Sequence, residues 1–376
     1  MAKPRVVVDS AIRVTDKLRA LPIDLVPVTG GEISNQSLIG AQALLTRTVT
    51  RVDELLLADT GIEFLGTASA GTDHIDLEYL VANDISFASA AGCNAAAVGD
   101  YVLSAISVCG RLGEVVSGAD VGLVGYGHVG RSLADRLLRL GATVKVYDPW
   151  VSEFATDVEP VTREEVLGCS VVSLHAALVK TAPFTSYHMI GVKEADSVRG
   201  DALFINAGRG SLMTVEAVER LLERGVQVVL DTWPEEPHVP LELLNRVRFG
   251  TPHIAGYSEL SKNNATDFLI PALISALALD CQRPVAGHPR ESPIVLTAKG
   301  NDLQTLSALL CHVGRIEQDD RDFRLAWAKD QSAEVFERQR RQYAMRQQLQ
   351  GLAVSVKHGL TPRLANWLEG LGVAVV

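Results

Sequence analysis

The sequence predicts an α/β fold built on parallel sheets. Short apolar strands alternate with helical stretches over most of the chain, and one strand runs through a glycine loop directly into a helix. A third observation, a stretch rich in proline and glycine after residue 283, sets the C-terminal residues apart as a smaller α+β domain.

Taken in order, Val6 to Val8 reads as a buried strand, Ala11 to Ala20 as a helix, and Ala43 to Leu45 and Glu63 to Thr67 as further strands. Gly30-Gly31 and Gly71 supply turns between them. A helix is expected from Ala95 to about Leu112. Strand Val121 to Val124, helix Val129 to Leu140 and strand Thr143 to Tyr147 follow, and then strands Val171 to Leu174, Leu203 to Asn206 and Val226 to Leu230. Such a dense run of apolar strands is the pattern of a doubly wound sheet. Ala265 to Leu279 reads as a helix with an apolar face. Pro284, Gly287-His288-Pro289 and Ser292-Pro293 form a boundary. Beyond it come a polar helical segment, Ser332 to Gln350, an apolar run, Leu352 to Val356, and a closing strand, Val373 to Val376. A separate tail of this kind suits self-association.

Bulk properties narrow the function. At 376 residues the chain needs two or three cores. A net charge of -10 argues against nucleic acid as a partner, because phosphate backbones require basic surface. The five cysteines are odd in number, dispersed and without a CxxC pair, which points to reduced thiols in a cytoplasmic protein and to no metal site. No apolar stretch approaches the roughly 20 residues of a membrane span.

The loop Gly125-Tyr126-Gly127-His128-Val129-Gly130 lies between a predicted strand and a predicted helix. Gly125 permits the tight turn, Gly127 leaves room for a pyrophosphate, and Gly130 allows helix and strand to pack closely. The amides of His128, Val129 and Gly130 open the helix toward the phosphates. Asp148 ends the next strand, where a carboxylate accepts from both ribose hydroxyls and repels a 2′-phosphate. The loop and Asp148 together call for NAD.

Three polar groups follow later strands: Arg209 in Asn206-Ala207-Gly208-Arg209-Gly210, Glu236 after Asp231, and His253 in Pro252-His253-Ile254-Ala255-Gly256-Tyr257. Oxidising a secondary alcohol needs a base near neutral pH, which suits histidine. A carboxylate partner orients that base, and an arginine fork can hold a substrate carboxylate. In this order, the segments resemble the D-isomer-specific 2-hydroxyacid dehydrogenase family. The resemblance implies Arg209 as substrate anchor, His253 as acid/base and Glu236 as its partner. It also implies a Rossmann-type NAD domain, residues 94–256, inserted into a flavodoxin-like substrate domain, residues 1–93 and 257–285. Residues 286–376 would be the dimerisation domain of a homodimer.

Further segments extend the resemblance over essentially the whole chain. They are Leu45 to Val52, Gly66 to Asp76, Ala91 to Ala95, Ile254 to Ser258 and Phe336 to Tyr343. They resemble the branch of the family that oxidises a phosphorylated four-carbon sugar acid on the route to pyridoxal phosphate. The likeness implies substrate contacts at Thr48, Ser69 and Tyr257. It implies cofactor contacts at Asp148, Ala207, Gly208, Arg209, Asp231 and Gly256. Arg47 beside Thr48 offers a cation for a phosphate, and the amides of Ala70 and Gly71 offer donors to a carboxylate. Four departures stand against that branch: Asp9-Ser10-Ala11-Ile12-Arg13 near the N-terminus, Gly31 where an arginine turn is expected, Ala176 in place of a hydroxyl residue, and Asn264 in place of an arginine. A dehydrogenase of another 2-hydroxy acid, such as phosphoglycerate or glycerate, remains open. So does a non-catalytic NAD-sensing protein, which the joint retention of Arg209, Glu236 and His253 opposes.

Overall fold

The computed structural model describes residues 3–281, 294–297, 300–357 and 359–376. The chain divides into two compact units. One takes the chain up to Asn94 and again from Glu259; the other runs from Ala95 to Ser258 and takes the described C-terminal residues. The expected boundary near 285–286 lies outside the described residues.

The first unit is a parallel sheet of β1 (Arg5–Asp9), β2 (Asp24–Val28), β3 (Ala43–Thr46), β4 (Phe64–Thr67) and β5 (Ser86–Ser89), in the order β2-β1-β3-β4-β5. This is the flavodoxin-like order. The central strands β3 and β4 are buried throughout, as a sheet covered on both faces requires. Leu18, Leu269, Ile270 and Leu273 cover one face, and Leu38, Leu56, Leu57 and Leu80 the other.

Two expectations change here. The helix expected over Ala11 to Ala20 is only Asp16–Arg19, capped by the Thr15 hydroxyl. Upstream of it, the Ala11 amide donates to the Asp9 carboxylate at 2.9 Å, and this local turn takes the place of the helix. The helix expected over Ala265 to Leu279 is two helices, Glu259–Asp267 and Ile270–Ala276, with Pro271 in the first turn of the second.

The second unit contains β6 (Asp120–Val124), β7 (Thr143–Tyr147), β8 (Val158–Pro160), β9 (Val171–Leu174), β10 (Leu203–Asn206), β11 (Gln227–Leu230) and β12 (Phe249–Gly250). All are parallel, in the order β12-β11-β10-β9-β6-β7-β8. The chain starts at β6, winds outward through β7 and β8, returns to β9 on the other side of β6, and continues to β12. The direction therefore reverses between β6 and β9. Doubly wound sheets bind ligands at such a point, beyond the carboxyl ends of their strands.

The C-terminal residues of this unit form the helices Asp302–Gly314, Ile316–Trp327, Ala333–Arg341 and Pro362–Gly370. They also form a small parallel sheet of β13 (Ile294–Thr297), β14 (Ala353–Lys357) and β15 (Ala374–Val375). The helical segment expected over Ser332 to Gln350 stops at Arg341. Beyond it the chain extends, and Arg346 makes a parallel bridge with Ser258. Helix Asp302–Gly314 packs on helix Ala95–Val108, whose residues are consequently buried on nearly every side.

One buried carboxylate ties these layers together. Asp100, on helix Ala95–Val108, accepts from Arg136 Nη1 at 2.6 Å and from the Leu349 amide at 2.9 Å. Arg136 belongs to helix His128–Leu140, so the glycine-loop helix and the C-terminal segment share one partner. Removing Asp100 strands a buried guanidinium and an amide. We predict that Asp100→Ala lowers the unfolding free energy by about 3–5 kcal/mol in urea titration; a loss under about 1 kcal/mol would show the pair to be dispensable.

Candidate active site

The strand β6 delivers the chain into Gly125, which has φ of 104°. Its amide donates to the Tyr147 carbonyl at 2.9 Å, which pins the loop to the end of β7. A Cβ at Gly125 would lie 2.7 Å or closer to the His175–Ala176 backbone, and one at Gly130 would collide with the Gly125 carbonyl oxygen. A Cβ at Gly127 would meet nothing within 4 Å. Two of the three glycines are therefore demanded by the protein's own packing, and the third faces open space. Helix His128–Leu140 begins without a side-chain cap. Its first amides, at His128, Val129 and Gly130, are the groups a pyrophosphate satisfies. The loop thus fits a dinucleotide.

Asp148 follows β7 and is half-buried. Its Oδ2 accepts from the Tyr126 amide at 2.7 Å and its Oδ1 from the Trp150 amide at 3.0 Å. A carboxylate has about four acceptor positions, so both oxygens keep capacity for ribose hydroxyls. On the other side of the loop, His175 is half-buried and bonded to Ser173 Oγ at 2.9 Å. Burial pushes its imidazole down to about 4, which keeps it neutral at neutral pH.

The next three strands are neighbours, so the residues after them converge. Asn206, at the end of β10, accepts from the Gly208 amide and donates to the Arg209 carbonyl, both at 3.1 Å. This holds the Ala207-Gly208-Arg209 turn. Arg209 Nη1 donates to the Gly208 carbonyl at 3.1 Å. A Cβ at Gly210 would collide with the Trp233 carbonyl, so the loop after β10 lies directly on the loop after β11.

That second loop begins at Asp231, which is buried. Asp231 Oδ1 accepts from Thr251 Oγ1 at 2.7 Å and from the Ile254 amide at 2.8 Å; Oδ2 accepts from the Ala255 amide at 2.9 Å. Tyr101, also buried, completes the chain with its hydroxyl 2.8 Å from Thr251 Oγ1. The His253 amide donates to the Asp231 carbonyl at 2.7 Å. His253 has φ of 56°, a conformation that costs a non-glycine residue about 1–3 kcal/mol and that these bonds hold in place.

Glu236 and His253 meet. Glu236 Oε1 lies 2.8 Å from His253 Nδ1, and Glu236 Oε2 accepts from the Trp233 amide at 3.2 Å. Burial pushes the Glu236 carboxyl up, but the charge and hydrogen bond of His253, the Trp233 amide and the Arg340 charge outweigh it. The group ends below its ordinary value. Glu236 is thus a carboxylate throughout the neutral range. With Nδ1 engaged, Nε2 is the nitrogen that can take a proton from a substrate.

Two residues here escaped the sequence reading. Arg340, on helix Ala333–Arg341, lies 3.4 Å from the Tyr257 hydroxyl through Nη2, and it pairs with Glu337 at 2.8 Å. Arg346 reaches the carbonyls of Ile254 and Ala255. The polar segment Ser332 to Gln350 is rich in Arg and Gln, but nothing local in it tells which arginine turns inward.

Described by itself, the first unit carries Arg47, Thr48, Ser69, Ala70 and Gly71 on the loops after β3 and β4. Arg47 Nε and Nη2 are both engaged by the buried Asp9 carboxylate, at 2.8 and 3.2 Å. Asp9 sits in the segment that departs from the family pattern, and its grip leaves Nη1 as the nitrogen of Arg47 outside that pair. Thr48 and Ala70 are exposed; Ser69 and Gly71 are half-buried. Among the described residues, no group of three or more His, Cys, Asp or Glu is placed to hold a metal ion, and no helix is long and apolar enough to cross a membrane.

Comparison with known proteins places the chain in a family. Residues 106–255 match the family described as D-isomer specific 2-hydroxyacid dehydrogenase, NAD binding domain. An erythronate-4-phosphate dehydrogenase from Marinobacter nauticus is 38% identical over 341 residues, covering 88% of this chain and 89% of the relative. Another, from Hahella chejuensis, is 34% identical over 345 residues, covering 90% of each. The NAD complex of a D-isomer specific 2-hydroxyacid dehydrogenase from Lactobacillus delbrueckii ssp. bulgaricus matches with a TM-score of 0.59 at 20% identity. It covers 75% of this chain and 100% of that one, a likeness of fold alone. With identity of this order over most of both chains, the chain belongs to the erythronate-4-phosphate dehydrogenase family, within the NAD-dependent D-isomer-specific 2-hydroxyacid dehydrogenases.

Proposed function

We propose that the chain oxidises 4-phospho-D-erythronate to (R)-3-hydroxy-2-oxo-4-phosphooxybutanoate, a step of pyridoxal 5′-phosphate biosynthesis. The observation that carries the chemistry is the 2.8 Å pair of Glu236 and His253 beyond the carboxyl ends of β11 and β12. The relatives' names support the choice of substrate.

In this reading NAD, held at Gly125, Gly127, Gly130 and Asp148, supplies the hydride acceptor. His253 Nε2 takes the proton of the C2 hydroxyl as the C2–H bond breaks, and the C2–O bond becomes a carbonyl. Glu236 holds the imidazole through Nδ1 and stabilises the imidazolium that forms. Arg209 anchors the substrate carboxylate through its guanidinium fork. Asp231, Ala207, Gly208 and Gly256 would contact the cofactor. Thr48, Ser69, Ala70, Gly71 and Tyr257 hold the substrate, with Arg47 toward the phosphate. The C-terminal segment serves as the homodimer contact, supported by exposed Val295, Leu325 and Leu360 within it. The cytoplasm is the proposed compartment.

The Arg47–Asp9 pair favours a second reading, a 2-hydroxy acid without a terminal phosphate. An assay of NADH formation with 4-phospho-D-erythronate, D-erythronate, phosphoglycerate and glycerate separates the two. The first reading expects kcat/KM for the phosphorylated four-carbon acid to exceed that for D-erythronate by at least about 10²-fold, as loss of a charged anchor implies. Equal turnover of the two would establish the second reading.

We predict that His253→Ala lowers kcat by about 10²- to 10⁴-fold and abolishes the acid limb of the pH profile, since the base must be unprotonated to act. Glu236→Gln should lower kcat and move the acid limb to lower pH. The sign follows from charge: a carboxylate stabilises the imidazolium, so removing it lets the proton leave at lower pH. An acid limb that stays in place in Glu236→Gln would remove Glu236 from this role. For the cofactor, Asp148→Ala should reduce the preference for NAD over NADP by at least about tenfold in kcat/KM; unchanged discrimination would assign that preference elsewhere.

A further inference from the structure

We infer that Arg346 is a positioning residue for the catalytic loop, so that the C-terminal segment works inside the active site of its own chain as well as in any contact with a second copy. The inference rests on the reading of His253 as the base.

Arg346 is 2% exposed, among the largest fully buried side chains of the chain. Its Nη2 donates to the Ala97 carbonyl at 2.9 Å and, in a shorter bond, to the Ala255 carbonyl; its Nη1 reaches the Ile254 carbonyl at 3.4 Å. The guanidinium also lies 5.7 Å from the centre of the Tyr101 ring. All of these partners belong to the second unit. The two loop carbonyls are those directly after His253.

The same loop is held from the other side. Asp231 takes the amides of Ile254 and Ala255. The peptide unit joining Ile254 to Ala255 therefore has its N–H on a carboxylate and its C=O on a guanidinium. An anion on the donors and a cation on the acceptors orient the peptide plane as neither does alone. One residue upstream stands His253, in a left-handed conformation that the loop must enforce.

Burying a guanidinium is costly unless charges and acceptors surround it. Here burial pushes the carboxyls of Asp100 and Asp319 up, that of Asp319 to about 6, and the charge of Arg346 offsets part of the rise in each. Tyr343 donates to Asp319 Oδ2 at 2.6 Å and fixes the end of the segment that brings Arg346 in. The glycine loop is not among the partners of Arg346, and this makes the inference testable. A residue that only supports the fold would lower cofactor binding and catalysis together; a residue that aims His253 lowers catalysis far more than cofactor binding, which rests mainly on the glycine loop and Asp148 and only at Gly256 on the loop that Arg346 grips.

The test uses the full chain with Arg346→Met and Arg346→Lys, read by kcat with 4-phospho-D-erythronate and by NAD affinity from fluorescence titration. We expect Arg346→Met to lower kcat by about 10²-fold, the scale of a misplaced catalytic group, while NAD affinity stays within about twofold. Arg346→Lys, which keeps the charge but loses the fork, should recover part of kcat. A Met variant with kcat within about threefold of the parent overturns the inference, as does a parallel loss of kcat and NAD affinity. His253→Ala is measured alongside. If it stays active, the assignment of the base fails; if it is inactive while Arg346→Met is active, only the role of Arg346 fails.

Discussion

The buried carboxylate of Asp231 organises the chemistry of the second unit. It stands at the end of β11 and collects one hydroxyl and two amides from the residues that follow β12. Because both of its oxygens are committed to the neighbouring loop, β11 and β12 cannot shift relative to each other without unpairing a buried charge, a loss of several kcal/mol. His253 inherits its position from this arrangement, and Glu236, five residues beyond Asp231, meets it across the same gap. The Trp233 indole, donating to the Thr251 carbonyl at 2.9 Å, closes the loop pair from beneath. The Glu236–His253 pair is thus a consequence of how two adjacent parallel strands end.

Sheet topology brings the remaining pieces to the same edge. The strands that carry Arg209, Glu236 and His253 are neighbours, and the reversal between β6 and β9 puts the glycine loop at the opening where doubly wound sheets take their ligands. Close backbone approaches make the loops rigid: Gly125 against His175–Ala176, Gly210 against Trp233. These are constraints of packing, and they hold before any ligand arrives.

Much of this was legible in the sequence because it is local. Strand β6, the glycine loop and the following helix form one continuous signal, and the buried strands β9 and β10 announce themselves as apolar runs. The edge strands did not. Asp24–Val28 contains Pro27 and a charged first residue, and Phe249–Gly250 is two residues long, so neither has a periodicity to read. The role of Asp231 as a collector of loop amides depends on β12 pairing beside β11, a non-local fact. The same holds for Asp9, which captures Arg47 across the β1–β3 pair, and for Arg346, whose partners at Ala97, Ile254 and Ala255 lie far away along the chain. The tail read as a polar helix; its inward turn after Arg341 has no signature in spacing because tertiary partners, not propensity, end the helix.

The central claim is that His253, oriented by Glu236, removes the hydroxyl proton while the C2 hydride passes to NAD. The most direct test is single-turnover oxidation of 4-phospho-D-erythronate deuterated at C2, with the label followed into the reduced cofactor. The account predicts quantitative deuterium transfer to NADH in the parent enzyme, with a normal primary isotope effect, and no detectable turnover on the same timescale in His253→Ala. Deuterium released to water, or a His253→Ala enzyme that transfers label at the parent rate, would contradict it.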